Sequence, residues 1–195
     1  NEVESKILTP VLDAARDHKR AHTIRILFVV VREADTWDEI RDARDVRRKV
    51  FIEEQGIPAK YESCTVDAYR THWVAMLDGV VIGTTRIYRY DTSMLRVERF
   101  AVLKEYRRSP LKVGTKLIAG VEQHAAHEGL QGISLNAQCH AIPFYEKCGY
   151  RKVGEPFRDA GILHQGMEKN LWYPAARTHT HPLKRALAWI GSLGR

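Results

Sequence analysis

The sequence predicts a mixed α/β fold, a sheet with flanking helices on a single domain. Three observations carry that prediction. Short apolar runs with strand character alternate with two long amphipathic patterns of helical period. Asp78-Gly79 divides two apolar runs, the strongest short signal for a hairpin. The length, 195 residues, suits one domain with extensions and a sizeable core rather than two domains.

The elements follow in order. Val3, Ile7, Leu8, Val11 and Leu12 lay out an amphipathic helix within residues 3–19, so residues 1–23 read as a helical extension. Residues 24–31 form a β-rich run. Thr36 then offers a helix start before Trp37, Ile40, Ala43, Val46, Val50 and Phe51, whose spacing marks one apolar face. Gly56 and Pro58 stop that helix, and a polar loop leads to about Tyr69. Strands are predicted over His72–Leu77, Val80–Tyr90 and Met94–Leu103. Val113, Leu117, Ile118, Val121 and Ala125 form the second long helix, ending at Gly129. Ile133–Ala137 reads as a strand and Ile142–Cys148 as a short helix. Tyr150–Val153 and Ile162–Glu168 close the sheet. The domain thus occupies residues 24–170, and residues 171–195 form a basic tail with helical character over Pro182–Leu193.

Composition narrows the function classes. The longest apolar run, Ile26 to Val31, has six residues, whereas a membrane helix needs about 20. The first ten residues lack a basic segment followed by an apolar one, so a cytoplasmic protein is expected. Three cysteines (Cys64, Cys139 and Cys148) with no C-x-x-C spacing fit reduced thiols rather than a disulfide framework or zinc ribbon. Thirty-one basic against 24 acidic residues leave a net charge of +7, which suits an anionic ligand. No basic stripe interleaved with aromatics favours nucleic acid.

The segment Phe100 to Ile118 concentrates that charge. A strand ends, a loop with Lys104, Arg107, Arg108 and Lys112 follows, and a helix begins with Gly114, Thr115 and Lys116. A helix N-terminus supplies unpaired N–H groups and a positive dipole end, both suited to phosphate. The P-loop string and the G-x-G-x-x-G fingerprint are absent, so the common nucleotide motifs do not explain it. A solvated basic loop is the competing reading.

Further segments stand in a recognisable order around it. They are VFIEEQGIP (Val50–Pro58), HWVAMLDGVVIGTTRIYR (His72–Arg89), LNAQCHAIPFYEKCGYRKVGEPF from Leu135, and DAGILHQGM (Asp159–Met167). Together, over residues 24–170, they resemble the GNAT superfamily of N-acetyltransferases, and the last resembles the D-A-G-I-P-H segment of one subgroup. The resemblance implies a sheet splayed between its fourth and fifth strands, with acetyl-CoA in the gap. It also implies direct acetyl transfer to an amine without a metal. The family loop, Arg/Gln-x-x-Gly-x-Gly/Ala, is altered here: Lys112 replaces the first glycine, Gly114 holds the last, and the loop is about two residues longer.

The same resemblance assigns roles. Phe100, Ala101, Val102 and Leu103 would meet the pantetheine arm, with the Val102 N–H on the thioester carbonyl. Arg107, Arg108, Lys112, Val113, Gly114 and Thr115 would hold the pyrophosphate, while Asn136 and Phe144 contact CoA from across the gap. Tyr145 would protonate the departing sulfur, and a phenol near pKa 10 keeps its proton at neutral pH. Glu98 and His164 are the base candidates; Gln55, Asp67 and His72 are expected on the acceptor side. The acceptor is a small-molecule or peptide amine. Each role has a structural counterpart: a core aromatic for Tyr145, a paired surface carboxylate for Glu98, a structural strand histidine for His164. The competing function is a domain that binds acyl-CoA without turnover.

Other signals are weaker. His124 and His127 share a helix face, but no third ligand accompanies them. Cys139 lacks a Cys-His-Asp constellation. The tail, with Leu187, Trp189 and Ile190, suits docking on the core or pairing with a second copy rather than contact with an anionic membrane, for which its few apolar anchors give only modest affinity.

Overall fold

The computed structural model describes residues 28–62 and 65–171. The N-terminal helical reading, the predicted start of the first strand, Cys64 and nearly all of the basic tail lie outside them. β1 (Val29–Glu33) runs two residues past its predicted end. α1 (Trp37–Arg47) starts where the sequence places it, because the Thr36 hydroxyl accepts the Glu39 N–H at 3.2 Å. Trp37, expected on the apolar face, is 79% exposed; burial begins at Ala43 and continues through Val46 and Val50.

The chain then widens into a π-helix over Arg48–Glu54, with the Gln55 N–H on the Val50 carbonyl. Such wide turns are uncommon and re-aim the residues that follow. Gly56, at φ +69°, ends it as expected. The predicted polar loop holds two short helical turns, α2 (Ala59–Glu62) and a 3-10 turn over Thr65–Tyr69.

β2 (Thr71–Leu77) and β3 (Val80–Arg89) form the hairpin predicted from Asp78-Gly79, with both turn residues at positive φ. β4 (Met94–Val102) follows, then a 3-10 turn over Lys104–Tyr106 and α3 (Val113–His127). β5 (Gly132–Gln138), α4 (Ile142–Lys147), β6 (Arg151–Asp159) and β7 (Ile162–Asn170) complete the order. β6 extends well past its predicted end at Val153. Gly154 and Pro156 break the pattern in sequence, but β6 is an edge strand, and its register shifts between Val153 and Phe157.

The seven strands of the described residues form one sheet, ordered β1-β2-β3-β4-β5-β7-β6. Every pair is antiparallel except β4 with β5. Leu117, Ile118, Val121 and Ala125 of α3 bury one face together with Ile87, Val97, Leu135 and Met167. On the other face, Ala43, Val46 and Val50 pack against Val74, Val81 and Ala101. β2 and β3 are therefore covered on both sides and are buried along most of their length. α1 lies mainly over β3, with β2 and β4 to its sides. By alternation, Ser134, Asn136 and Gln138 of β5 and His164 and Glu168 of β7 lie on that second face beyond it.

Gly166 shows how closely β6 and β7 approach. A Cβ there would lie 2.8 Å from the Val153 carbonyl oxygen. Gly166→Ala is expected to cost about 1–3 kcal/mol through overpacking. A lower urea midpoint with unchanged slope would register it, and an unchanged midpoint would contradict it.

Candidate functional site

β4 and β5 pair from Met94 and Gly132 to Val97 and Leu135, and no further. The cause lies in β4. Thr84 pairs with Ala101 and Arg86 with Glu98, so Arg99 and Phe100 together oppose the single residue Thr85. Arg99 takes φ +51°, and the Thr85 hydroxyl closes the bulge by donating to the Glu98 carbonyl at 2.8 Å. A bulge bends its strand and re-aims side chains. Beyond it, one edge of the gap is β4 and the other is Asn136–Gln138, which remain paired only with β7. Asn136, the first residue past the last β4–β5 pair, is exposed there.

The backbone of β4 faces the gap in a definite pattern. The Leu103 N–H bonds the Ile82 carbonyl at 3.0 Å, and Val102 pairs with Gly83. By antiparallel alternation, the N–H and carbonyl of Val102 point away from β3. The carbonyl accepts from Arg107 Nε at 2.8 Å. The N–H is left directed at the gap.

Next to that edge stands the start of α3. Lys112 precedes it at φ +52°, no side chain caps it, and its first turn has no acid. Val113 is fully buried, which fixes the helix on the core, and an added Cβ on Gly114 would lie 3.3 Å from the Phe144 ring. Arg108, Lys112, Thr115 and Lys116 are exposed, and none has an acidic partner among the described residues. Arg107 departs from expectation. Its Nη1 and Nη2 each donate to Glu54 at 2.6 Å while Nε holds Val102. It thus ties the loop to the end of the π-helix and is not free to hold phosphate. Glu54 is held below the usual carboxylate range chiefly by this pairing.

On the face opposite α3, a chain of ions runs from the core to the gap. Arg86 donates to Asp67 Oδ1 at 2.7 Å and to Glu98 Oε2 at 2.7 Å. Arg47 donates to both oxygens of Asp67, at 3.0 and 2.7 Å, and to Glu62 at 2.5 Å. Arg44 reaches Asp67 from the surface at 3.2 Å. Burial pushes the Asp67 carboxyl up, but the hydrogen bonds and charges of Arg47 and Arg86 outweigh it and hold the group well below the carboxylate range. Asp67, expected to touch the acceptor, is instead a buried anchor that places Arg86 and, through it, Glu98. His72 is likewise inside: burial lowers its pKa, and its Nε2–H donates to the Asp67 backbone carbonyl at 3.1 Å. Glu98 itself keeps 27% side-chain exposure at the gap.

At the far end, Gln55 and His164 are each joined to Gln138. The Gln138 amide donates to Gln55 Oε1 at 2.9 Å, joining the π-helix to the tip of β5. Gln138 pairs across the sheet with His164, which stacks on Phe157 at 5.9 Å and bonds the Ile162 carbonyl through Nδ1. Gln138, Arg86, Tyr88 and Glu54 escape sequence reasoning. Their partners, Gln55, Glu98, Arg70 and Arg107, stand on other elements, and such long-range pairings leave no local sequence signal.

Tyr145 lies on the α3 side of the sheet, 6% exposed. Its ring packs edge-on against Phe100, Phe144 and Tyr150, with centroids 5.0 to 5.9 Å away. Burial pushes its phenol above the ordinary value. His124 packs against Trp73, and Cys139 and Cys148 are free thiols. Among the described residues, no group of three His, Cys, Asp or Glu side chains is placed to hold a metal. No described helix is long and apolar enough to cross a membrane.

Known proteins share this architecture. Residues 39–171 match the family model described as an acetyltransferase (GNAT) domain. The chain is 37% identical over 138 residues to an uncharacterized N-acetyltransferase of Bacillus subtilis, YjcF, covering 70% of this chain and 96% of that one. Among solved structures, an acyl-CoA N-acyltransferase from Pseudomonas aeruginosa superposes with a TM-score of 0.62 at 24% identity, over 72% of this chain and 98% of the other. An aminoglycoside 6'-N-acetyltransferase complexed with coenzyme A gives 0.58 at 18% identity, over 74% and 98%.

Proposed function

This chain belongs to the GNAT acetyltransferase family, and on that premise we propose that it moves an acetyl group from acetyl-CoA to a primary amine by direct transfer. The amine nitrogen attacks the thioester carbonyl carbon, the C–S bond breaks, and the nitrogen's proton passes toward Glu98. The Tyr145 hydroxyl gives its proton to the departing sulfur. The Val102 N–H faces the gap, where a donor to the thioester oxygen would gain strength as negative charge develops. Arg108, Lys112 and the N–H groups opening α3 take the pyrophosphate, with Asn136 on the opposite edge.

One observation carries the reading: a parallel strand pair that separates beside an uncapped, cation-flanked helix start. That arrangement offers an extended ligand a backbone edge and a phosphate site side by side. Calorimetry with CoA and acetyl-CoA tests it, and no binding at millimolar ligand would refute it. Arg108→Ala is expected to weaken CoA about tenfold, the loss of one charged contact, with kcat at saturation largely kept. A phosphate contact is made equally in ground and transition states. A second reading, acyl-CoA binding without turnover, gains support from the capture of Arg107 by Glu54. Release of CoA thiol above background with any amine decides against it.

A further inference from the structure

The arginines near the gap are unevenly paired. Arg32, Arg41, Arg48, Arg89, Arg107 and Arg151 each contact a carboxylate elsewhere on the molecule. Arg70, Arg96 and Arg99 contact none among the described residues, and all three lie on or against the β3–β4 segment that carries Glu98. Arg96 lies across from Tyr88 in the β3–β4 register and donates only to the Ser134 hydroxyl, at 3.3 Å. Arg70 lies 3.8 Å over the Tyr88 ring. Arg99 follows Glu98 in the bulge and donates to the Tyr61 carbonyl at 2.6 Å. The Nε groups of Arg70, Arg86 and Arg99 are buried without a hydrogen-bond partner.

The acids that could balance these cations are already engaged. Asp67 serves Arg44, Arg47 and Arg86, Glu62 serves Arg47, and one oxygen of Glu98 serves Arg86. His72, its pKa lowered by burial, adds no negative charge. Six guanidinium groups therefore accompany three carboxylates on this face of the sheet, from the core to the edge of the gap. A cationic acceptor would enter against that field. An anionic group would be drawn to it, and half-buried guanidinium is well suited to carboxylate or phosphate. The same surplus favours the neutral form of an attacking amine, because nearby like charge lowers its pKa.

Resting on the acetyl-transfer reading above, we propose that the acceptor is an amine that also carries a carboxylate or phosphate group, and that Arg70 and Arg96 receive that group beside Glu98. Two matched pairs test it: O-phosphoethanolamine against ethanolamine, and 4-aminobutyrate against 1,4-diaminobutane. Binding to the CoA-saturated protein is measured by calorimetry, and turnover with acetyl-CoA by thiol release. At least one acidic member is expected to surpass its partner tenfold or more, and the pair that does so identifies the group. Arg70→Gln and Arg96→Gln should each collapse that ratio. Arg41→Gln, the same charge loss on the exposed side of α1, should leave it intact. Equal or reversed ratios, or no binding of either acidic probe while CoA binds, overturn the proposal alone. Failure of CoA itself to bind removes the acetyl-transfer reading and this inference with it.

Discussion

Tyr145→Phe is expected to lower kcat by roughly 10-fold to 10,000-fold, around or below the usual range for one acid–base group. The affinity for acetyl-CoA should hold. The ring is what packs against Phe100, Phe144 and Tyr150, and phenylalanine keeps that packing. The hydroxyl is needed only as charge develops on sulfur, so its loss falls on the transition state rather than on binding. The burial that raises the phenol's pKa also keeps its proton in place beyond the ordinary value near 10. Loss of activity with rising pH therefore has another source in the wild type. Steady-state kinetics with a turned-over acceptor, across the pH range, checks both points. Normal turnover by Tyr145→Phe would return this residue to the role of a core aromatic and leave water to protonate the sulfur.

The frame of the fold was legible because its signals are local. Asp78-Gly79 specifies a turn, Thr36 and Gly129 bound helices, and the apolar period of Val113 to Ala125 locates a face; each stands where the sequence put it. β6 was cut short because Gly154 and Pro156 break a central strand, and edge position is not visible locally. The site was legible in part. The gap is implied by the family resemblance and the cationic helix start is visible in Phe100 to Ile118, but the partners of each charge are not. A composition of basic residues cannot say that Arg107 is held by Glu54, 53 residues earlier in the chain, while Arg108 beside it stays free. Nor can it say that Asp67 and His72 turn inward. The first depends on the π-turn over Arg48–Glu54, which carries Glu54 at its end, and the second on Arg47 and Arg86, which meet Asp67 from α1 and β3.

Asp67→Asn should produce the largest change in stability, a loss of about 3–5 kcal/mol, the cost typical of removing one partner from a buried ion pair. Arg47 and Arg86 are each at most 3% exposed in the side chain, and both direct hydrogen bonds at this carboxylate. An amide of the same shape carries no charge to offset theirs and can accept at only one atom. A loss of that size is a large fraction of the 5–15 kcal/mol that ordinary domains possess. The pH dependence follows from the direction of the shift. Because the folded carboxyl is held below its unfolded value of about 3.9, its contribution is complete above that pH and is lost as pH falls below it. Denaturation curves for the wild type should therefore weaken below about pH 4, and those for Asp67→Asn should weaken less over the same interval. Activity should fall as well, since Arg86 loses the anchor from which it positions Glu98. A stability loss under about 1 kcal/mol at neutral pH would mean that Arg47 finds enough in Glu62, and Arg86 in Glu98, without the carboxylate between them.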